Sequence, residues 1–321
     1  MSLAVCLLGY SLAVAVLAPG ALLRLTRSGR APRWGVTVWL LALGSVPAAW
    51  LAAAGLIGAE LVLAGGDLGE VLAGCVTALH GAAIGTQGVA VQAGLLVLAG
   101  LVGAGLVVLT ARLGRALGAA RRRTHRHADT ARLIGRVDDA LGAVVVDVPG
   151  HLAYAVAGRP STIVVSRATV NALDDTQLQA VLAHERAHLA GRHHLLLAGA
   201  RALAATMPRI RLFTVGSGEL GRLVEMCADD TATRGHSSGA LVGALLTLTG
   251  GPVAASRGVL NAAGTAVADR AERLMFPAAP GQLRTARLHL GLAMTALLSG
   301  PALGAVLLLV QSGLCDPVLG L

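Results

Sequence analysis

The sequence predicts a mainly α-helical membrane protein, with four transmembrane helices and an α+β cytosolic domain between the third and the fourth. Three observations lead to this fold class: the composition, the length of the apolar runs and the placement of the charges. Of the 321 residues, 55% are hydrophobic and only 13% are charged, and the mean hydropathy is +0.71. Soluble domains carry about twice that share of charged residues, so a purely soluble fold is excluded.

Four apolar runs are long enough to cross a hydrocarbon core, which takes about 20 residues of helix. The four runs cover residues 3–23, 34–59, 89–111 and 288–310. The first run has no basic leader and is followed by arginines, so we expect a retained span rather than a cleaved signal. The predicted division is a membrane region over 1–111, a central block over 112–287 and a last span with a short external tail over 288–321.

The charges predict the orientation of these spans. All 26 basic residues are arginines, and they fall only within 24–33 and 112–287. The connection 60–88 carries acidic residues and no arginine, and the positive-inside rule places arginine-bearing segments in the cytoplasm. The absence of lysine is typical of a GC-rich bacterial genome. We therefore expect a multi-pass protein of the bacterial cell membrane with its central block in the cytoplasm, and Cys75 and Cys315 are candidates for a disulfide on the outer side.

The densest basic cluster, residues 121–127, follows directly on the third predicted span. Basic residues at such a place usually fix the topology and contact anionic lipid headgroups. Only 2% of the residues are aromatic, so the chain has very few side chains on which nucleic-acid bases could stack. Direct binding of nucleic acid is not expected.

The first half of the central block predicts a short helix followed by extended segments. The pattern favours an amphipathic helix at 132–141, a buried strand at 143–148 and a hairpin with strands at 153–157 and 162–166. Gly158-Arg159-Pro160 supplies the residues that a hairpin turn favours. These strands form the β part of the predicted α+β domain.

The second half of the block is predicted to be helical. Asp174, with Gln177 three positions later, predicts a capping box for a helix that stops at Gly191. Residues 194–207 are apolar but too short to span, so we expect them to pack on that helix or to lie at the membrane surface. Further helices are predicted at about 218–234 and 239–248.

The helix that ends at Gly191 carries the sequence His184-Glu185-Arg186-Ala187-His188, an HExxH motif. Residues four apart share one helical face, so the two imidazoles can bind a single zinc ion. The glutamate between them then lies within reach of a water molecule on the metal and can take its proton. This chemistry is typical of a zinc peptidase, with Glu185 as the catalytic base.

A catalytic zinc site usually takes three protein ligands, and Glu225 on the next predicted helix is the candidate for the third. Asp229 lies four residues further on the same face, where it can accept a hydrogen bond from a ligand imidazole. His193 and His194 are weaker candidates, because they follow Gly191 too closely to fold back easily. The sequence thus predicts a site for one zinc ion and for no other cofactor.

Arg234 and His236 lie just past the helix that carries Glu225. Both are candidate donors to the oxyanion that develops during hydrolysis of a peptide bond. The sequence leaves open which of the two acts in this way.

The stretch 173–193, with Glu225 and the pair Ala228-Asp229 downstream, resembles the BlaR/MecR-type membrane zinc metallopeptidases. That family also places a cytosolic, gluzincin-like peptidase domain between its third and fourth spans. The resemblance implies His184, His188 and Glu225 as zinc ligands, Glu185 as the base and Asp229 as their support. The β-lactam receptors of the family carry a large penicillin-binding domain after the last span, whereas about ten residues follow Val310 here. Sensing of β-lactams through such a domain is not expected.

We therefore expect a membrane-anchored zinc endopeptidase that hydrolyses peptide bonds of a cytosolic or membrane-proximal protein. The hairpin at 153–166 offers an edge to an extended peptide substrate. The resemblance implies a winged-helix transcriptional repressor as a partner, in addition to the lipid bilayer. Two alternatives stay open: an HtpX-like protease for membrane protein quality control, which shares both motifs, and a non-catalytic membrane signal transducer.

Overall fold

The computed structural model describes residues 2–63, 89–158, 160–249 and 260–314. The helices in these ranges are α1 (Ser2–Thr26), α2 (Pro32–Leu63), α3 (Val89–Ile134), α4 (Arg167–Ala172), α5 (Asp175–Ala190), α6 (His193–Thr206), α7 (Arg211–Ala232), α8 (Ser238–Thr249), α9 (Leu260–Met275) and α10 (Pro280–Leu314). The strands are β1 (Arg136–Asp138), β2 (Ala143–Val146), β3 (Ala153–Val156) and β4 (Thr162–Ser166). Cys75 and Cys315, the predicted disulfide partners, lie outside the described residues.

The four strands form one sheet in the order β1-β2-β4-β3. Strands β3 and β4 are antiparallel neighbours, which confirms the predicted hairpin, and β2 pairs with β4 in parallel. Val144 and Val146 pack against the end of α3, whereas Ala143 and Ile163 face α5 on the other side. Because the sheet is covered on both faces, its central strands are continuous apolar runs rather than alternating ones. The hairpin leaves β3 at the edge of the sheet, beside α5.

The prediction of a separate helix at 132–141 is wrong. Helix α3 continues to Ile134, and the chain then enters β1 at Arg136. The change occurs at Gly135, where a Cβ would collide with the side chains of Val144 and Val146. A glycine lets the backbone pass closely over β2 and end the helix at that point.

The helix predicted at 218–234 also starts at a different residue, because α7 begins at Arg211. Gly216 and Gly218 weaken the helical signal of its first turns. The buried face of these turns compensates, since Leu212, Phe213 and Leu220 are fully buried. The helix predicted at 239–248 is confirmed by α8.

Two helices, over Leu3–Thr26 and Pro32–Leu56, are long and apolar enough to cross a membrane. Helix α10 lies alongside them: the hydroxyl of Tyr10 donates to the carbonyl of Leu297 at 2.8 Å, and Gly291 packs against the ring of Trp34. The apolar runs 89–111 and 288–310 are both helical, within α3 and α10. The two N-terminal helices support membrane anchoring, whereas the four-span topology, the domain bounds and the cytoplasmic side of the block stay predictions.

Helices α6 and α7 share a core with α1 and α2. Trp39 and Leu43 of α2 are buried against Phe213, Gly216 and neighbouring residues of α7. The segment predicted at 194–207 is indeed a helix, and it packs mainly along α7, with its start against α5. The helix that bears Glu225 is therefore fixed to the apolar N-terminal helices rather than to the sheet.

Candidate metal centre

Helix α5 is fixed at both ends by the residues that the sequence indicates. The carboxylate of Asp174 accepts from the backbone N–H of Gln177 at 2.8 Å, and the Gln177 side chain accepts from the N–H of Asp174 at 3.3 Å. This capping box confirms the predicted start of the helix. The predicted stop is confirmed at Gly191, whose N–H donates to the carbonyl of Ala187 at 2.9 Å.

Three ligand atoms converge between α5 and α7. The Nε2 atoms of His184 and His188 are 3.1 Å apart, and the carboxylate oxygens of Glu225 lie 3.5 Å from each of them. Nitrogen and oxygen ligands at about 2.1 Å from a tetrahedral metal are separated by about 3.4 Å. The three distances fit such an ion, and two imidazoles with one carboxylate form a donor set that suits zinc.

Asp229 supports the first histidine from behind. It is fully buried, and its Oδ1 lies 3.0 Å from Nδ1 of His184. Arg270 of α9 holds this carboxylate with two hydrogen bonds of 2.8 and 2.6 Å, and its Nη1 lies 3.2 Å from Oε2 of Glu225. Arg270 therefore links the third ligand to the carboxylate that orients the first.

Sequence reasoning missed Arg270. A signal for it exists, because a buried aspartate next to a histidine requires a compensating cation. The chain offers 26 arginines, however, and the pattern alone does not say which of them reaches Asp229. Only the packing of α9 on α7 selects Arg270.

His193 occupies a place that the sequence did not predict. Arg192 adopts a left-handed conformation, with φ of 49°, and so turns the chain sharply between α5 and α6. This turn folds His193 back, and its Nδ1 lies 3.0 Å from Nδ1 of His188. The expectation that His193 follows Gly191 too closely to return is wrong. His193 contacts the rear nitrogen of a ligand instead of joining the three atoms that face the metal.

The charges around the site act differently on its two histidines. Burial disfavours the charged form of His184, but the carboxylates of Asp229 and Glu225 outweigh it and raise its pKa to about 9. Burial lowers the pKa of His188 to about 4 despite the nearby Glu225. His188 is therefore neutral at neutral pH, with an imidazole that can bind a cation. His184 carries a proton that a metal ion would replace.

Glu185 lies beside the ligands and against the sheet. Burial raises its pKa to about 7, although the nearby backbone amide of Ala155 acts in the opposite direction. Ala155 belongs to β3, the strand at the edge of the sheet. The carboxylate is thus placed between the converging ligand atoms and a strand edge.

Arg234 and His236 line a different cavity. That cavity has a volume of 1210 Å³ and opens between the ends of α1, α2 and α10 and the helices α7 and α9. None of the three candidate ligands lines it. The structure does not bring Arg234 or His236 together with the ligands, and their role as oxyanion donors stays a prediction.

Two histidines one turn apart, a glutamate next to the first of them and a carboxylate from a second helix are the arrangement typical of zinc metallopeptidases. Residues 119–216 match the model of peptidase family M48. The match supports an M48 metallopeptidase and does not extend to the BlaR/MecR type. It includes the HExxH motif and ends before Glu225, so the third ligand depends on the geometry of α7. No curated protein and no solved structure matches this chain.

Proposed function

We propose that the protein is a membrane-anchored zinc endopeptidase that cleaves a cytosolic or membrane-proximal protein. The convergence of His184, His188 and Glu225, with all three ligand atoms within 4.8 Å of one another, is the observation that carries the proposal. The match to peptidase family M48 supports the activity. The two apolar helices near the N-terminus support the anchoring.

A zinc ion held by His184, His188 and Glu225 would act as a Lewis acid towards the scissile carbonyl and would make water more acidic. Glu185 takes the proton from the attacking water and delivers it to the leaving amine. With a pKa of about 7, this carboxyl can accept and release a proton near neutral pH. The nearby backbone amide of Ala155 favours the charged form of this carboxyl.

The edge of β3 is the place where we expect the substrate to bind. An extended peptide can add a strand to an exposed sheet edge through main-chain hydrogen bonds. Because the helix that carries Glu185 packs on this strand, with the backbone amide of Ala155 near the Glu185 carboxyl, a peptide paired with β3 would pass next to the catalytic carboxylate. The substrate we propose is therefore an unfolded or extended protein segment.

The resemblance to the BlaR/MecR type suggests a transcriptional repressor with a winged-helix domain as the substrate. The quality-control alternative predicts instead that unrelated unfolded proteins are cleaved broadly. Incubation of the purified full chain with unfolded casein and with any winged-helix repressor that is found encoded next to its gene separates the two. Cleavage of the repressor alone supports signalling, and cleavage of both at similar rates supports quality control.

The variant Glu185→Gln tests the activity itself. We expect it to keep one zinc ion per chain and to lose about 10³-fold in kcat, because only the base is removed. Asp139→Asn is the matched control, since this carboxylate is exposed and lies in the turn between β1 and β2. The measurements are zinc content by mass spectrometry and cleavage of a fluorescent casein in detergent. Cleavage by Glu185→Gln at the rate of the control would refute the assignment of Glu185 as the catalytic base. Absence of cleavage by both the wild type and the control would favour the non-catalytic alternative.

A further inference from the structure

The cavity that contains Arg234 and His236 is distinct from the metal centre. Its walls come from the connection between α1 and α2, the end of α7, the end of α9 and the start of α10. With a volume of 1210 Å³ it is large enough for a polar group of many atoms. Neither the catalytic proposal nor the sequence motifs account for it.

The lining of this cavity is strongly basic. Seven arginines and three carboxylates line it. Arg222 is paired with Glu219 at 2.6 Å and Arg273 with Asp230 at 2.5 Å. The remaining five arginines have no carboxylate within 4.0 Å among the residues that the structure describes; they are Arg27, Arg30, Arg33, Arg234 and Arg287.

The cavity lies at the arginine-bearing ends of the apolar helices. α1 ends at Thr26 and α2 begins at Pro32, so the connection between them forms one wall at the foot of both candidate spans. Trp34 and Phe276 line the same cavity and are 40% and 72% exposed. Exposed aromatic rings next to arginines are typical of the level of lipid headgroups in a bilayer.

Unpaired guanidinium groups around one cavity repel each other and favour an anion between them. Their planar donors match the oxygens of a phosphate, which they can bind with two parallel hydrogen bonds. Basic pockets between helices at the cytoplasmic side of a membrane bind phospholipid headgroups in this way. Phe276 of the lining is exposed, and Leu288, which follows the lining residue Arg287 in α10, is exposed as well, so both offer a surface for the acyl chains.

We propose that this cavity binds the headgroup of an anionic phospholipid from the adjacent leaflet. The inference depends on the membrane anchoring in the proposed function, but not on peptidase activity. The site also adjoins the metal centre, because Arg273 in its wall lies one turn from Arg270 on α9 and donates to the carbonyl of Gly29 at 2.9 Å. A bound headgroup would therefore hold α9 against the connection between α1 and α2.

Native mass spectrometry of the full chain in detergent tests the proposal. The experiment uses the Glu185→Gln background, so that self-cleavage cannot change the protein during the titration. Phosphatidylglycerol and phosphatidylcholine with identical acyl chains are titrated separately. We expect the first to bind about tenfold more tightly than the second, because only its headgroup carries a net negative charge.

The triple variant Arg27→Gln, Arg30→Gln, Arg287→Gln removes three unpaired charges from the cavity. Its matched control replaces the same number of exposed arginines in the predicted anchor cluster, residues 121–123. We expect the cavity variant to lose the preference for phosphatidylglycerol and the control to keep it. The melting temperature in detergent reports whether each variant is folded.

Four results would overturn the proposal. They are an equal loss of preference in both variants, an unchanged preference in the cavity variant, displacement of the lipid by inorganic phosphate, and displacement by a polyglutamate peptide. The third would indicate a site for soluble anions, and the fourth a surface for an acidic protein. If the purified wild-type protein contains no zinc but still prefers phosphatidylglycerol, the proposed peptidase is contradicted and the lipid site remains supported.

Discussion

At the scale of single residues, the two histidines proposed as metal ligands have different partners behind their rings. Nδ1 of His184 faces the buried carboxylate of Asp229, whereas Nδ1 of His188 faces another imidazole, that of His193. A ligand imidazole is oriented by the partner of its second nitrogen, which also tunes its basicity. His193 can accept a hydrogen bond from the Nδ1–H of His188 only when its own Nδ1 carries no proton. Burial lowers the pKa of His193 and so favours this neutral form.

Replacement of His193 by alanine should therefore weaken zinc binding. We expect the zinc dissociation constant to rise about tenfold, because His188 loses the acceptor that fixes its ring. His194→Ala is the control, because the imidazole of His194 is next to His193 in the chain but does not contact a candidate metal ligand among the described residues. Competition with a fluorescent zinc chelator measures both affinities. Equal affinities in the two variants would contradict a positioning role for His193.

Arg270 compensates a negative charge that has no access to solvent. Its pairing with Asp229 and the contact of Asp229 with His184 outweigh burial, and together they lower the pKa of that carboxyl. Removal of the partner of a buried charge costs about 3 kcal/mol. We expect Arg270→Gln to lower the free energy of unfolding in detergent by about 3 kcal/mol at neutral pH, measured as a lower melting temperature.

The pH dependence of that loss has a definite sign. A depressed pKa contributes stability above the unfolded value, about 4 for an aspartate, and the contribution disappears as the pH falls through the folded value. The difference in melting temperature between wild type and Arg270→Gln should therefore narrow below pH 4. A difference that stays constant from neutral to acidic pH would show that Arg270 acts through packing instead. Asp139→Asn again serves as the surface control.

Which residues the sequence could identify follows from these contacts. His184, Glu185 and His188 lie within two helical turns, so the period of the helix alone fixes their relation. His193 returns to the site only because Arg192 takes a left-handed conformation, which no sequence signal indicates for an arginine. Contacts that depend on a single turn or on distant packing cannot be inferred from the sequence pattern.

At the scale of elements, α7 is fixed on two sides. Its last turns carry Glu225 and Asp229, and its first turns pack on Trp39 and Leu43 of α2. Gly216 allows this close approach, because a Cβ there would lie 3.0 Å from both side chains. The sequence predicted the end of α7 and missed its start, since glycines in the first turns weaken the helical pattern and only contact with α2 restores it.

Substitution of Gly216 should consequently disturb the position of the third ligand. We expect Gly216→Val to destabilise the fold by about 2 kcal/mol through overpacking against Trp39. Gly218→Val is the matched control on the same helix, because no atom lies within 4 Å of a Cβ at that exposed position. Thermal unfolding and zinc content of both variants in detergent measure the effect. A Gly218→Val variant as unstable as Gly216→Val would attribute the loss to valine in the helix rather than to the contact with α2.

At the scale of the whole molecule, the apolar N-terminal helices have a common core with α6 and with α7, which carries the candidate ligand Glu225. Buried residues of α1, α2, α6, α7 and α10 belong to one cluster. The buried hydroxyl of Thr26 at the end of α1 donates to Glu219 of α7 at 2.7 Å, so the link is polar as well as apolar. Hydropathy correctly indicated the apolar helices, but it treats each segment alone and cannot show that one of them completes the core around α7.

A shared core predicts that the peptidase part does not fold alone. A fragment that covers residues 112–287 lacks Trp39, Leu43 and the rest of α2, and this exposes the apolar face of α7 around Phe213. Exposure of a contiguous patch of this kind favours aggregation. We expect the fragment to bind less than one zinc ion per chain and to elute as aggregate in size-exclusion chromatography.

Co-expression of residues 1–63 as a separate chain should restore a zinc-binding complex, because it returns both helices that cover α7. The same helices with Trp39→Ala and Leu43→Ala are the control, and we expect them to restore much less, since each truncation removes about 3 kcal/mol of packing. A monodisperse fragment that holds zinc without the N-terminal helices would contradict a shared core. The anchoring helices would then serve only to attach an independent peptidase domain to the membrane.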